Sequence, residues 1–516
     1  MKPKFWVLLL VGLLLTAGGV GTMFAQGRGT ITGIVKDESG AVLPGADVAV
    51  INQGTGDVRR TVTSDEGFFS VVALPAATYT VEIQMPGFAT WRRTDIYLES
   101  SQRLHIPDIV LQVGQLAEEI TVTSAAESIV PVDSGEKSAT LTAARIESIP
   151  IVGRNAAELL RVLPGMSPIG DVMTNRPNFS GEVIGINGNG AAGDQSPLGN
   201  YSANGTTAEQ LNIVFDGGNV SDPGCNCATP VNPNPDMISE FKVLTSNYGA
   251  EHAKGPVVID AVSKAGTSEF HGTGYFTFRH YKLNANEWEL NATGQERTKN
   301  KFYFPGFNLG GPLTPGRDKL FFFVGMEWMR QTLDTGVLRA VVPTQAMRQG
   351  NFSEAEVTPL TAGAERGINT VPSGFEGGII PTDMFDPGGQ VMMNLLPLPT
   401  VDPAMGRGNN YIYALEIDQP NTQQLVRIDY SISDNTKLFA RYNRQRETQP
   451  FVTTLWWFNA NDVPYPSRIT GENRSDAVST TLTHVFSPTI TNETVFSLTY
   501  VDFPNSFDDP EAISRS

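Results

Sequence analysis

Apolar and polar positions alternate along much of this chain with a period of two, the mark of half-buried β-strands. Between residues 29 and 113 the runs are short and evenly punctuated. In "GTITGIVKDESGAVLPGADVAV", Ile31 and Val35 alternate with polar positions, Asp37 to Gly40 makes a turn, and "LPGA" leads into a second strand. "VRRTVTSDEGFFSV" repeats the theme around a turn at Ser64 to Gly67, and "TYTVEI" sets Tyr79, Val81 and Ile83 opposite Thr80 and Glu82. Turn signals every ~8–12 residues predict an all-β sandwich. A lone alternating run follows in "GQLAEEITVTSAAES", where Ile120 and Val122 alternate with Thr121 and Thr123 and no hairpin partner lies nearby.

From residue 128 the periodicity changes. "LTAARIESIPIVGRNAAELLRVLPGM" carries short helical patterns, with Leu159, Leu160 and Leu163 at helical spacing before Pro164-Gly165. "AEQLNIVFDGG" reads as a strand entering a turn at Asp216-Gly217-Gly218, and "MISEFKVLTSNYGAEHAKGPVVIDAVSKAGTSEFHG" as a short helix mixed with strands. A compact α+β module is predicted to residue 267. Beyond it the alternation lengthens. Phe276 and Phe278 alternate with Thr277 and Arg279, and Leu320, Phe322, Val324, Met326 and Trp328 share a face. Val426, Ile428 and Tyr430, turned at Asp434-Asn435, return as Leu438, Ala440 and Tyr442. A second hairpin, in "THVFSPTITNETVFSLTY", turns at Ser487-Pro488. The pattern fits a transmembrane barrel with lipid outside and water inside, or a soluble sandwich with one wet face. In the soluble sandwich Arg427, Asp429, Arg441 and Arg444 would be ordinary solvent residues. Residues 334–418 break the alternation, with many Pro and Gly and a helical piece, "PGGQVMMNLLPLP"; loops of this length are commonly functional.

Composition narrows the choice. Of 516 residues, 51 are Gly and 34 Pro, and only 18% are charged, as suits a turn-rich β chain. The net charge of −17, with no Lys/Arg block, argues against a nucleic-acid partner. Lys2 and Lys4, the apolar run Phe5 to Leu15 and the small-residue stretch Ala17 to Ala25 form a secretory signal layout, with cleavage expected after Ala25. An uncleaved membrane anchor is the competing reading. No later segment has 18 apolar residues in a row, so any further crossing would be by strands. Cys225 and Cys227, spaced C-N-C, are too few for a disulfide scaffold or a metal site. The histidines, His105, His252, His271, His280 and His484, are scattered, and no catalytic motif occurs. No enzyme activity, cofactor or metal is expected.

Residues 29–113 resemble the carboxypeptidase regulatory-like domain, an immunoglobulin-like sandwich without peptidase chemistry and related to carbohydrate-binding folds. Ala77, where that family usually has glycine, is a departure. "GRNAAELLRVLPGM", "LNIVFDGG", "SNYGAEHAKG" and "VSKAGTSEFHG", in that order, resemble the plug domain of TonB-dependent outer-membrane receptors, most closely the Oar-like branch that carries the sandwich in front. The resemblance implies a mainly β chain: signal 1–25, sandwich 29–113, TonB-box linker 114–127, plug 128–267, and the first part of an antiparallel transmembrane β-barrel at 268–516.

"EEITVTS" is similar to the TonB box, an extended segment that the inner-membrane protein TonB captures by strand addition. Glu119, Ile120, Thr121, Val122 and Thr123 are the implied contact residues, expected to lack an internal partner; an ordinary linker or last sandwich strand is the alternative. The implied function is ligand uptake or binding at the outer membrane of a Gram-negative-type bacterium, with the sandwich periplasmic, residues 334–418 extracellular and the plug gating a barrel embedded in lipid. Siderophore, oligosaccharide, peptide and cobalamin receptors share these modules. A non-transporting adhesin or carbohydrate-binding surface protein is the competing reading. A barrel of this family has 22 strands and needs well over ~400 residues, so the chain is expected to be the N-terminal part of a longer protein.

Overall fold

The computed structural model describes residues 28–114, 119–123 and 135–149, parts of 160–168, 201–221 and 229–248, and, short gaps aside, 252–451, 467–487 and 490–514. The signal segment, Leu159 and both cysteines lie outside the described residues.

The expected sandwich is present. One sheet holds β1 (Gly29–Asp37) between β4 (Phe68–Leu74) and β7 (Arg103–Leu111). The other runs β3 (Val58–Val62), β2 (Asp47–Asn52), β5 (Ala77–Gln84), β6 (Thr90–Leu98) and β8 (Glu119–Thr123). Inward positions Ile31, Val35, Val50, Val81 and Ile83 are fully buried, and Tyr79 adds a hydroxyl that donates to the Pro75 carbonyl at 2.7 Å. Thr80, predicted on the outer face, is buried as well, because Gln53 folds over it and donates to its hydroxyl at 3.0 Å.

The second module is a five-stranded sheet in the order β13-β12-β15-β14-β9, beside a small pair, β10 (Met166–Pro168) and β11 (Tyr201–Ala203). Its strands are β9 (Lys137–Thr142), β12 (Leu211–Phe215), β13 (Gly218–Asn219), β14 (Ile238–Ser246) and β15 (Val257–Ser263), with a short helix at Ala143–Ser148. The helix expected within residues 237–271 is absent among the described residues. "ISEFKVLTS" is β14, buried on both faces, with Phe241 and Val243 on one side and Glu240 and Lys242 on the other. Polar residues that are nonetheless buried disguised the strand.

The third region is one long antiparallel wall. Its main path is β16 (His271–His280), β17 (Lys301–Pro312), β18 (Leu320–Asp334), β22 (Asn421–Ser433), β23 (Thr436–Phe451), β24 (Ile469–Ser487) and β25 (Ile490–Tyr500). Short β21 (Glu416–Asp418) and β26 (Asn505–Phe507) pair with β18 and β24. The predicted hairpin register holds: Tyr430, Ile428 and Val426 face Leu438, Ala440 and Tyr442. One face of the wall presents Phe276, Phe278, Val426, Ile428, Phe496 and Leu498 outward, all exposed. The opposite face is polar and buried, with Gln423, Arg427, Arg441, Asn443, Gln445, Ser475 and Ser479. Arg444 lies one residue out of phase with Arg441 and Asn443, on the exposed outer face, whereas Arg427 and Arg441, solvent residues in the sandwich reading, are buried.

The strand connections are unequal. The intervals between strands at 313–319, 434–435 and 488–489 are short and fall at one end of the wall, and those at 281–300, 335–420 and 452–468 are long and fall at the other. Residues 335–420 are folded rather than loose. A small hairpin, β19 (Leu338–Ala340) with β20 (Tyr411–Tyr413), closes the base, and the helix Pro387–Leu395 appears where helical pattern was read. Asp386 caps that helix, accepting from the Gly389 N–H.

Candidate functional site

The turn Asp216-Gly217-Gly218 projects from the second module into the polar face of the wall. Asp216 adopts a left-handed backbone, φ 46°, and Gly217 φ 76°. Next to them there is no room for a side chain at Gly218, where a Cβ would meet the Ser497 Cβ at 2.9 Å. The tight turn puts the Asp216 carboxylate between two wall arginines. Arg441 Nε stands 3.1 Å from Oδ2, and Arg427 Nη1 3.8 Å from Oδ1. Arg441 also donates to the Phe215 carbonyl at 3.0 Å, and its guanidinium lies 4.1 Å from the Phe215 ring centroid. Arg427 donates to the Ser263 carbonyl and hydroxyl at 2.8 and 3.0 Å, and the Ser263 N–H donates to Asp216. Two bonds at 2.8 Å from Arg427 to Asp429 complete its pairing. The module is therefore held against the wall by a buried ion cluster, hydrogen-bonded through Arg427, Ser263 and Asp216 Oδ1, while Arg441 Nε and Asp216 Oδ2 meet as charges without a hydrogen bond.

Further contacts extend this seat. Asn234 donates to Glu327 at 2.9 Å, Gln445 accepts from the Asn232 N–H, and Met237 fills the space above Gly325, where a Cβ would lie 2.7 Å from its Cγ. Phe323, Leu425 and Ala477 of the wall join the core of Phe215, Ile238, Phe241 and Val243.

The opposite face of β14 meets the sandwich. The corner after β6, Glu99 to Ser101, lies on Glu240, Lys242 and Asp260. Tyr97 Oη and the Ser100 N–H each donate to Glu240 at 2.7 Å. Lys242 Nζ donates to the Ser100 carbonyl at 2.9 Å and pairs with Glu136 at 2.9 Å. Thr140 donates to Glu99 at 2.8 Å. Burial pushes the Glu240 carboxyl up to about 7, against the downward pull of the Tyr97 and Ser100 hydrogen bonds. Burial likewise raises Asp260 well above the usual carboxylate range, reinforced by Asp216 and Glu240 nearby. The sandwich also touches the short-turn rim of the wall. Lys437 pairs with Asp57, Arg28 lies 3.9 Å from Glu493, and the Gly54 carbonyl accepts from the Ser268 N–H at 2.9 Å.

Glu119 to Thr123 do not lack an internal partner. They form β8, paired in parallel with Thr90 to Thr94 of β6, with Ile120 opposite Trp91. This is the last sandwich strand of the alternative reading; its partner lies about thirty residues upstream, with β7 between, so no hairpin signal named that partner. Sequence reading placed Arg427, Asp429 and Arg441 on one polar face but did not supply Asp216 as their partner. Ser100 and Glu240 carried no sequence signal. Among the described residues, no group of three or more His, Cys, Asp or Glu could hold a metal ion.

Residues 262–515 match the outer membrane beta barrel domain family, and residues 30–112 the carboxypeptidase regulatory-like domain. The TonB-dependent transporter Oar of Myxococcus xanthus is 26% identical over 333 residues, 62% of this chain and 28% of that protein. The chain thus spans less than a third of the length of this curated relative. Among solved structures, the outer membrane transporter YddB from Escherichia coli aligns with 72% of this chain and 40% of its own, at 12% identity and a TM-score of 0.41. The siderophore receptor PirA from Acinetobacter baumannii aligns with 71% of this chain and 44% of its own, at 11% identity and a TM-score of 0.34. None of these three is an enzyme.

Proposed function

We propose, from the premise that this chain is an outer-membrane homologue of the TonB-dependent transporter Oar, that it serves TonB-dependent ligand uptake, residues 128–267 being the plug and Glu119 to Thr123 the TonB box. The observation that carries the reading is the seat of the plug: a separate sheet pinned to the polar face of the wall by Asp216, Arg427 and Arg441. The same sheet shares a small apolar core with Phe323, Leu425 and Ala477 of the wall, so displacing it by force means breaking both the ion cluster and that core. The wall belongs in lipid, with its short turns toward the periplasm and its long connections outside, the usual asymmetry of such barrels. That orientation puts the sandwich, β8 and the TonB partner on the periplasmic side. The ligand, taken from siderophores, oligosaccharides and peptides, binds on the outer side.

Strand addition suits β8. Alternate residues of a parallel strand bond to one neighbour and the rest point away, so a strand at the sheet edge keeps donors and acceptors for a partner. Cross-linking in cells tests the assignment. An Ile120→Cys chain should cross-link to TonB when the inner membrane is energised. A Thr121→Pro variant, which removes a backbone donor and fixes φ, should lose TonB capture while still folding. Undiminished capture by the proline variant would end the box assignment.

A further inference from the structure

The sandwich does not hang free below the plug; it is docked over it. Its contacts are spread along the short-turn end of the wall and onto the plug: Asp57 on Lys437, Arg28 near Glu493, Gly54 on Ser268, and the Ser100 corner on Glu240, Lys242 and Asp260. The contact is also built to separate. It is polar, whereas the apolar cores of the sandwich and of the plug with its wall are separate clusters. A cavity of about 520 Å³ remains between the layers, lined by Asn52 and Gly54 of the sandwich, Asp216 and Asp260 of the plug, and Phe321 and Arg427 of the wall. Polar, imperfectly filled surfaces between domains are the kind that open. The Ser100 corner is held by a neighbour, Ser101, in a left-handed conformation with φ 56°, a strained backbone that persists only where its surroundings enforce it.

The handle sits on this same body. β8 is the edge strand of the sandwich sheet, paired with Thr90 to Thr94, and the same strand β6 runs on directly into the corner at Glu99 to Ser101. We propose that the sandwich is a lid on the periplasmic mouth of the wall, and that TonB, by holding β8, lifts this lid off the plug before the plug itself is moved. The proposal rests on the TonB-box reading and adds what the first movement is. Pull on β8 reaches the plug by two routes, the covalent chain that follows residue 123 and the β6 corner.

The test uses the full chain in cells with their own TonB, with Cys225 and Cys227 replaced by Ser. Ser100 is fully buried beneath the contact, so a Ser100→Cys reporter meets N-ethylmaleimide only when the lid is off. Gly54 supplies the lock. A Cβ built there would lie 4.0 Å from the Thr267 Cβ, within the usual ~3.5–4.5 Å separation of a disulfide. Gly54→Cys with Thr267→Cys should therefore tie the lid to the wall under oxidation.

Alkylation of Ser100→Cys is expected to rise by roughly tenfold or more when the inner membrane is energised, and to fall back with a protonophore or with Thr121→Pro. The oxidised lock should abolish the rise while the Ile120→Cys cross-link to TonB persists, and reduction should restore it. If Ser100→Cys perturbs the fold, the yield of the Gly54→Cys/Thr267→Cys disulfide in a chain that keeps Ser100 reports the same opening, and should fall when the inner membrane is energised. Cross-linking to TonB with neither readout changed would overturn the lid, since β8 would then have been peeled from β6. Alkylation that rises despite the lock would overturn it too. Absence of any cross-link to TonB would instead remove the box reading, and the lid with it.

Discussion

Asp216 is the residue on which the seat of the second module, the proposed plug, turns. Its carboxylate is buried and faces two guanidiniums, and each arginine spends its remaining donors on fixed oxygens: Phe215 and Asn443 for Arg441, Ser263 and Asp429 for Arg427. Removing one member leaves an uncompensated buried charge, which costs on the order of 3–5 kcal/mol. Arg441→Ala should accordingly unseat the plug turn, read as hydrogen exchange at Leu211 to Phe215 accelerated by two or more orders of magnitude. Arg441→Lys should not rescue it, because an ammonium cannot both stack on Phe215 and reach two acceptors. Gly218→Val should have a similar local effect for a steric reason, the missing space beside Ser497. The turn at Asp216-Gly217-Gly218 was legible in sequence, because Gly and Asp at those offsets permit positive φ. The inward phase of Arg427 and Arg441 was legible too. Their meeting with Asp216 was not, since more than two hundred residues separate the partners and no local pattern encodes such a contact.

At the scale of elements, the β14 strand shows why buried polar faces mislead. Glu240 and Lys242 carry charge in the middle of a strand, yet the sandwich covers them. The burial of Glu240 gives the contact between the sandwich and the second module a pH dependence. The groups facing Glu240 are Tyr97 and Glu99 from the sandwich side, Lys242 on its own strand, Asp260 on β15, and Glu136, which pairs with Lys242. A carboxyl raised from 4.5 to about 7 keeps its proton when docked and loses it when separated. The Glu240 contribution to the contact is therefore largest below 4.5, falls as pH rises through that window, and levels off above about 7. The difference corresponds to about 3 kcal/mol at most, and Asp260 acts in the same direction. Energy transfer between dyes on the sandwich and on the wall should report a closer sandwich at pH 5 than at pH 7.5, and Glu240→Gln should flatten most of that change. The strand β8 teaches the complementary lesson. Its alternation was readable, but a parallel partner reached through a crossover leaves no trace in the nearby sequence.

For the molecule as a whole, the lengths of the connections orient the wall. Strands such as β24, 19 residues long, exceed the ~9–11 residues needed to span a membrane, and the surplus lies at the end with long connections. An epitope tag inserted at Gly374, an open position with φ 89°, should be stained on intact cells. A tag at Gly40, an equally open turn of the sandwich, should be stained only after the outer membrane is permeabilised. The reverse pattern would invert the orientation.

The small hairpin at the base of the longest connection has a consequence for how such a chain can diversify. Leu338 pairs with Tyr413 and Ala340 with Tyr411, and Asn410 bridges both the N–H and the carbonyl of Val342 at 2.8 and 2.7 Å. Everything from residue 343 to residue 409 hangs from that closed neck, with its own core around Met347, Val357 and Leu360. The ring-closure entropy of an insertion rises only with the logarithm of its length, about 0.6 kcal/mol per doubling. What lies beyond the neck is thus an exchangeable cartridge: lineages can lengthen, shorten or replace it and change what the outer surface meets, while the strands beneath keep their register.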